Sequence, residues 1–193
     1  MPGTFEFCIP TRATSVPDSP DWPHEIKYDG YRLRVERNGD RVRLITKGGY
    51  DWSKRYPWIV EAALKNRQKQ FFIDGEAVIL GVDGRSDFDA LHSGKHNEEV
   101  QLYAFDMLAG DGDDMRQLPL SMRKANLARL LARRTEGIFI APFEQGEIGP
   151  DPFRKAFEFG LLSRWRTNHS RPLQWSTFNH GRSSRCNSCD RSS

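Results

Sequence analysis

The sequence predicts an α+β domain built around an antiparallel sheet. Two observations carry that expectation. Strand-period segments are joined by turn chemistry rather than by helices, and the helical segments fall irregularly between strands. Regular strand–helix alternation would have pointed to a doubly wound parallel sheet instead.

YRLRVE alternates Tyr31, Leu33 and Val35 with Arg32, Arg34 and Glu36, which is strand period. RVRLIT resumes the alternation after RNGD, so Asn38-Gly39 is expected to be the hairpin turn. YPWIVEAALKNRQ predicts a short helix opened by Pro57. FFIDGEAVIL, rich in β-branched and aromatic residues, predicts a strand that carries Asp74 and Glu76 on one face. VDGRS reads as a turn, and Ser86-Asp87-Phe88-Asp89 as a capping box opening a helix toward His92. In the strand VQLYAFDML, alternation places Tyr103, Phe105 and Met107 on one face and Leu102, Ala104 and Asp106 on the other. SMRKANLARLLARR predicts an amphipathic helix with Met122, Leu127, Leu130 and Leu131 as its apolar stripe, and IFIAPF a short strand. DPFRKAFEFGL predicts a last helix with Asp151 as N-cap and Gly160 as its stop.

The organisation expected from this pass is an extended, Pro-rich lead-in over 1–22, a domain over 23–161, and a disordered Ser/Arg-rich tail over 162–193. A hydrophobic content of 37%, with 12 Phe and 5 Trp, suffices for a core. No apolar run approaches the ~20 residues needed to span a bilayer. The N-terminus lacks the apolar stretch of a signal peptide, and three cysteines make no disulfide framework, so a reducing cytoplasm is expected. The net charge of +3 is unevenly spread. From Leu162 onward six arginines oppose one acid, whereas residues 1–161 hold 23 basic and 25 acidic side chains. A nucleic-acid role for the body therefore has to rest on a site rather than on bulk charge.

The stretch HEIKYDGYR sets Lys27 between Glu25 and Asp29, with Gly30 and Arg32 following. A lysine nucleophile needs its amine free or aligned, against an ordinary pKa of ~10.4. Attack on phosphorus also needs neutralised phosphate oxygens and a metal held by carboxylates. The chain offers a Lys on a loop, a neighbouring Gly and Arg, a same-face carboxylate pair, and an aromatic on a further strand. Taken alone, KxDGxR reads equally well as a turn before a strand.

In this order and spacing, KYDGYR, FFIDGEAVIL and LYAFDML resemble nucleotidyltransferase motifs I, III and IIIa of ATP-dependent DNA ligases. GDRVRLITKGGYDWSKRYP, DGRSDFDAL and LPLSMRK are likewise similar to the adenylation domain of bacterial end-joining DNA ligases. The similarity covers roughly residues 5–161. It implies an antiparallel-sheet, ATP-grasp-like nucleotidyltransferase fold in which Lys27 attacks the α-phosphate of ATP, forms lysyl-AMP and releases pyrophosphate. AMP would then pass to a DNA 5′-phosphate, and the 3′-hydroxyl would displace it to seal the nick. By the same resemblance Glu25 and the adjacent backbone at Ile26 would contact the adenine edge, and Phe105 would stack on the base. Arg32 would lie near the ribose or nick phosphate, Lys47 near phosphate, and Glu76 at the ribose or the metal. Implied cofactors are ATP and Mg2+ (or Mn2+). Implied partners are nicked or broken double-stranded DNA and other end-joining proteins, without a membrane, in a cytoplasmic, nucleoid-associated setting.

The sequence also departs from that family. Lys47-Gly48-Gly49 stands where Arg-Asn-Gly is common, which keeps the charge and loses the bidentate fork. Leu162-Ser163-Arg164-Trp165 stands where a Glu-Gly…Lys motif should follow, and no lysine occurs after Lys155. Glu136-Gly137-Ile138-Phe139 does not replace it, since it lacks the terminal lysine. The expectation is a truncated or frameshifted adenylation domain without its C-terminal OB-fold domain, with weak or absent nick sealing. An RNA ligase or capping-type nucleotidyltransferase, and a non-catalytic nucleotide- or DNA-binding fragment, are the alternatives. Cys186-x-x-Cys189, the His92/His96 pair and the aspartates of AGDGDD each lack the further ligands of a metal site.

Overall fold

A computed structural model describes residues 23–25, 28–82, 84–133 and 136–145. The expected lead-in, the helix from Asp151 and the tail lie outside the described residues, as do Ile26 and Lys27. The strands are β1 (Pro23–Glu25), β2 (Tyr31–Asn38), β3 (Arg41–Thr46), β4 (Gln70–Val78), β5 (Gln101–Gly110), β6 (Asp113–Asp114), β7 (Ile138–Ile140) and β8 (Phe143–Gln145). The helices are α1 (Pro57–Lys65), α2 (Phe88–Ser93) and α3 (Leu120–Leu130).

The central sheet runs β3-β2-β4-β5-β6, antiparallel throughout, and β7 joins β5 in parallel on the edge that also carries β6. A separate two-stranded sheet pairs β1 with β8. IFIAPF thus supplies β7 and the first residue of β8 rather than one strand. β7 ends before Ala141-Pro142, and β8 leaves for the other sheet.

One face of the central sheet is apolar. Leu33 and Val35 of β2, Phe71 and Ile73 of β4, and Leu102 and Ala104 of β5 share a buried core with Ile59 and Ala63 of α1 and Leu127 of α3. Pro57 opens α1, as the sequence predicts, and the buried Arg37 closes it by donating to the carbonyls of Ala63 and Asn66 at 2.6 Å each.

Four local readings shift. Asn38 stays in β2, paired with Arg41, so the hairpin loop is Gly39-Asp40, and Gly39 takes φ +64° as the first loop residue. The cap of α2 is Asp87, whose Oδ1 accepts from the Ala90 amide at 2.9 Å, whereas Ser86 Oγ turns to the amide of Asp29. Met122 is half exposed, because five residues separate it from Leu127, about 140° around a helix of 3.6 residues per turn. Lys124 holds the buried position in its place.

The fourth shift shapes the site. Asp74 of β4 lies opposite Asp106, but the next pair is Gly75 with Ala104, so Phe105 is an extra residue in β5. Strict alternation is broken there. Asp106 joins Tyr103 and Phe105 on the face that carries Asp74, and Met107 turns into the core beside Leu102 and Ala104. That second face is polar yet largely buried, with Arg34, Glu36, Asp74 and Asp106 all below one-tenth exposure.

Candidate functional site

The backbone next to Lys27 is anchored three ways. The Tyr28 ring lies 4.4 Å from that of Tyr103, which stacks in turn on Phe139 at 5.5 Å. The Asp29 amide donates to Ser86 Oγ at 3.3 Å. Gly30 runs so close to β4 that a Cβ there would collide with the carbonyl oxygen of Ala77 and sit 2.8 Å from Val78 Cγ1. Burial pushes the Tyr28 hydroxyl up to about 12, so this residue stays neutral and acts through its ring.

On the other side of Lys27, Glu25 ends β1 with its carboxylate buried. Its partner is Lys124 of α3, itself 6% exposed, which donates to Glu25 Oε1. The same ammonium donates to the Phe105 carbonyl at 3.0 Å and lies 4.4 Å from the centroid of the Phe143 ring. A single charge thus joins β1, β5, β8 and α3. Burial pushes the Glu25 carboxyl up from its ordinary value, and the Lys124 ammonium draws it back toward the ionised form.

Arg32 forks onto Asp74, with Nε to Oδ1 at 3.1 Å and Nη2 to Oδ2 at 2.6 Å. Its guanidinium carbon lies 5.3 Å from the centre of the Phe105 ring. Burial pushes the Asp74 carboxyl up, against the pull of Arg32. The bulge sets Asp106 beside Asp74, and Arg123 of α3 meets Asp106 Oδ2 at 3.2 Å. Burial pushes Asp106 up to about 7, with the Arg123 charge only partly compensating.

The residues expected at the site therefore separate into groups. Glu25, Arg32 and Phe105 are linked through Lys124 and the Arg32–Phe105 contact. Glu76 lies on the same polar face, half-buried and directly opposite Arg32 in the β2–β4 ladder. Lys47 is exposed in the turn that follows β3. Lys124, Arg123 and Asp106 went unnoticed as site residues. For Lys124 a signal existed, because it takes the stripe position between Leu120, Leu127 and Leu131, where a cation must find a buried partner. Among the described residues no group of three or more His, Cys, Asp or Glu could hold a metal ion, since Asp74 and Asp106 face arginines. No helix among the described residues is long and apolar enough to cross a membrane.

The model of the ATP-dependent DNA ligase domain family matches residues 12–147. The multifunctional non-homologous end joining protein LigD of Pseudomonas aeruginosa is 35% identical over 136 residues, 68% of this chain and 16% of that protein. A probable DNA ligase of Streptomyces coelicolor is 37% identical over 118 residues, 55% of this chain and 23% of that one. Among solved structures, a mycobacterial DNA ligase D complexed with ATP superposes with a TM-score of 0.64 at 27% identity, over 81% of this chain and 53% of that one. The ligase domain of M. tuberculosis LigD gives 0.62 at 26% identity, over 82% and 53%. The chain thus spans about half of the solved ligase domains it resembles and a smaller share of the whole relatives. The α+β fold expected from the residues is the fold of these domains, and with its family model matched across the whole described region, the chain belongs to the ATP-dependent DNA ligase domain family.

Proposed function

We propose that this chain performs the lysyl-AMP chemistry of a DNA ligase, with Lys27 as nucleophile. Lys27 Nζ attacks the α-phosphorus of ATP. The N–P bond forms as the bond to the bridging oxygen breaks, pyrophosphate leaves, and the amine gives up its proton. AMP then passes to the 5′-phosphate of nicked or broken double-stranded DNA, and the 3′-hydroxyl displaces it.

The observation that carries this reading is the fixing of both flanks of Lys27. Glu25 is held by the ammonium that also grips Phe105, and Tyr28, Asp29 and Gly30 are each anchored to the central sheet or the segment leading into α2. Pre-set geometry of this kind is what aligns a weak nucleophile with phosphorus. Glu25 and the backbone at Ile26 would meet the adenine edge, and Phe105 would stack on the base. Arg32 would face the ribose or a phosphate, Lys47 a phosphate, and Glu76 the ribose. A divalent cation (Mg2+ or Mn2+) bound with the phosphates of ATP would neutralise their charge, with Glu76 facing that metal as well as the ribose.

The test is self-adenylation with α-labelled ATP, read on a denaturing gel. Label on the wild type that vanishes in Lys27→Ala supports the reading, and equally unlabelled wild type and variant overturn it. Labelling by GTP in preference to ATP would point to capping-type chemistry. Sealing of a nicked duplex is assayed separately, with other end-joining proteins added in a second arm.

A further inference from the structure

The contact that nothing above requires is the one made by Lys124. It sits on α3, 99 residues along the chain from Glu25, in a stripe otherwise occupied by leucines. Burying an ammonium there is unfavourable unless its partners are fixed, and it has three: the Glu25 carboxylate, the Phe105 carbonyl and the Phe143 ring. We propose that Lys124 is a positioning residue for base selection, holding the Glu25 carboxylate and the Phe105 backbone as one unit so that base-edge contact and stacking surface keep a fixed relation. The inference rests on the reading that Glu25 meets the adenine edge.

The chemistry follows from hydrogen-bonding types. An ionised carboxylate only accepts, so it suits the exocyclic amino group of adenine and repels the carbonyl oxygen at the same place in guanine. Lys124 engages Oε1, and among the described residues no partner meets Oε2. Burial alone would favour the protonated acid, which could donate to guanine as readily as accept from adenine. The Lys124 ammonium on Oε1 opposes that effect of burial and favours the acceptor form of Glu25. The Phe105 carbonyl is available to it because Phe105 is the bulged residue of β5.

The experiment measures ATP and GTP binding and self-adenylation for the full 193-residue chain and for Lys124→Met, Lys124→Arg and the double variant Glu25→Gln/Lys124→Met. Wild type is expected to prefer ATP. Lys124→Met is expected to lose about tenfold or more in ATP affinity, as for a charge-assisted hydrogen bond, with GTP little changed, so that the ATP:GTP ratio collapses. Lys124→Arg should recover most of it. The double variant leaves no unpaired buried charge, so it decides the matter where Lys124→Met does not fold. Its amide can donate or accept, and the ratio should fall there too. A folded Lys124→Met or double variant that keeps the wild-type ratio overturns the proposal, whatever its melting temperature. A wild type that neither binds ATP nor takes label overturns the underlying reading of the site instead.

Discussion

Replacing Gly30 by alanine tests whether the approach of Gly30 to β4, three residues after Lys27, sets the geometry of adenylation. The added methyl would lie inside contact distance of the Ala77 carbonyl oxygen and 2.8 Å from Val78 Cγ1. The first obstacle is backbone in the middle of a sheet, paired with Tyr31 across the ladder, so it cannot swing aside as a side chain would. The loop must therefore lift by about 1 Å, and a 1 Å misplacement of a reacting group costs about 10² in rate. Relief of the overlap should also cost ~1–3 kcal/mol of stability, as overpacking usually does. The assay is the initial rate of label transfer from ATP at a temperature where circular dichroism shows wild type and variant equally folded. A slowing near 10²-fold with modest loss of melting temperature is expected. A folded Gly30→Ala chain that labels at the wild-type rate would refute the idea that this contact positions Lys27.

Three further outcomes follow from the buried polar groups. Asp74→Ala removes the buried carboxylate that Arg32 forks onto and should cost ~3–5 kcal/mol, whereas Arg32→Met/Asp74→Leu should lose much less, checked by urea unfolding. The folded carboxyl of Asp106 titrates at about 7 against an unfolded 3.8, so the native state holds the extra proton. Its contribution to stability is fully present below about pH 4 and fades as pH rises through about 7, by up to ~4 kcal/mol at 1.36 kcal/mol per pH unit. Asp106→Asn should flatten that slope in melts taken between pH 4.5 and 8. Among the described residues the buried Tyr56 hydroxyl has no hydrogen-bond partner, so Tyr56→Phe should be neutral or stabilising by about 1 kcal/mol, and a loss above that in chemical denaturation would reveal a hidden partner.

How far the sequence reaches depends on how local the cause is. The β2–β3 hairpin, the Pro57 start of α1 and the carboxylates of β4 are dictated by neighbours a few residues apart, and they stand within a residue of where alternation and turn chemistry put them. Alternation puts the motif residues of β2, β4 and β5 on their strands, but their expected roles came from the family resemblance and not from local pattern. The bulge at Phe105 was not, because LYAFDML alternates cleanly and only the register of β4 against β5 reveals the extra residue. It moved Asp106 from an apolar face to a polar one. Nor does helical period on α3 identify the partners of Arg123 and Lys124, which lie on other strands.

These two illegible features are physically connected. A regular β5 would commit the Phe105 carbonyl to the ladder and turn Asp106 into the core, where a carboxylate has no cation to meet. With one extra residue, the ring, the carbonyl and the next carboxylate are presented to the same side of β5 as Asp74, within reach of α3. Two successive cations on α3 then divide the work. Arg123 meets Asp106, and Lys124 meets Phe105 and Glu25. The helix is thereby tied to the sheet by charge as well as by Leu127 and Leu130 in the core. Displacing α3 would move the residue two places before Lys27 and the aromatic expected to carry the base. Adenylation in this chain should accordingly be sensitive to changes on α3 that leave Lys27 and its loop untouched.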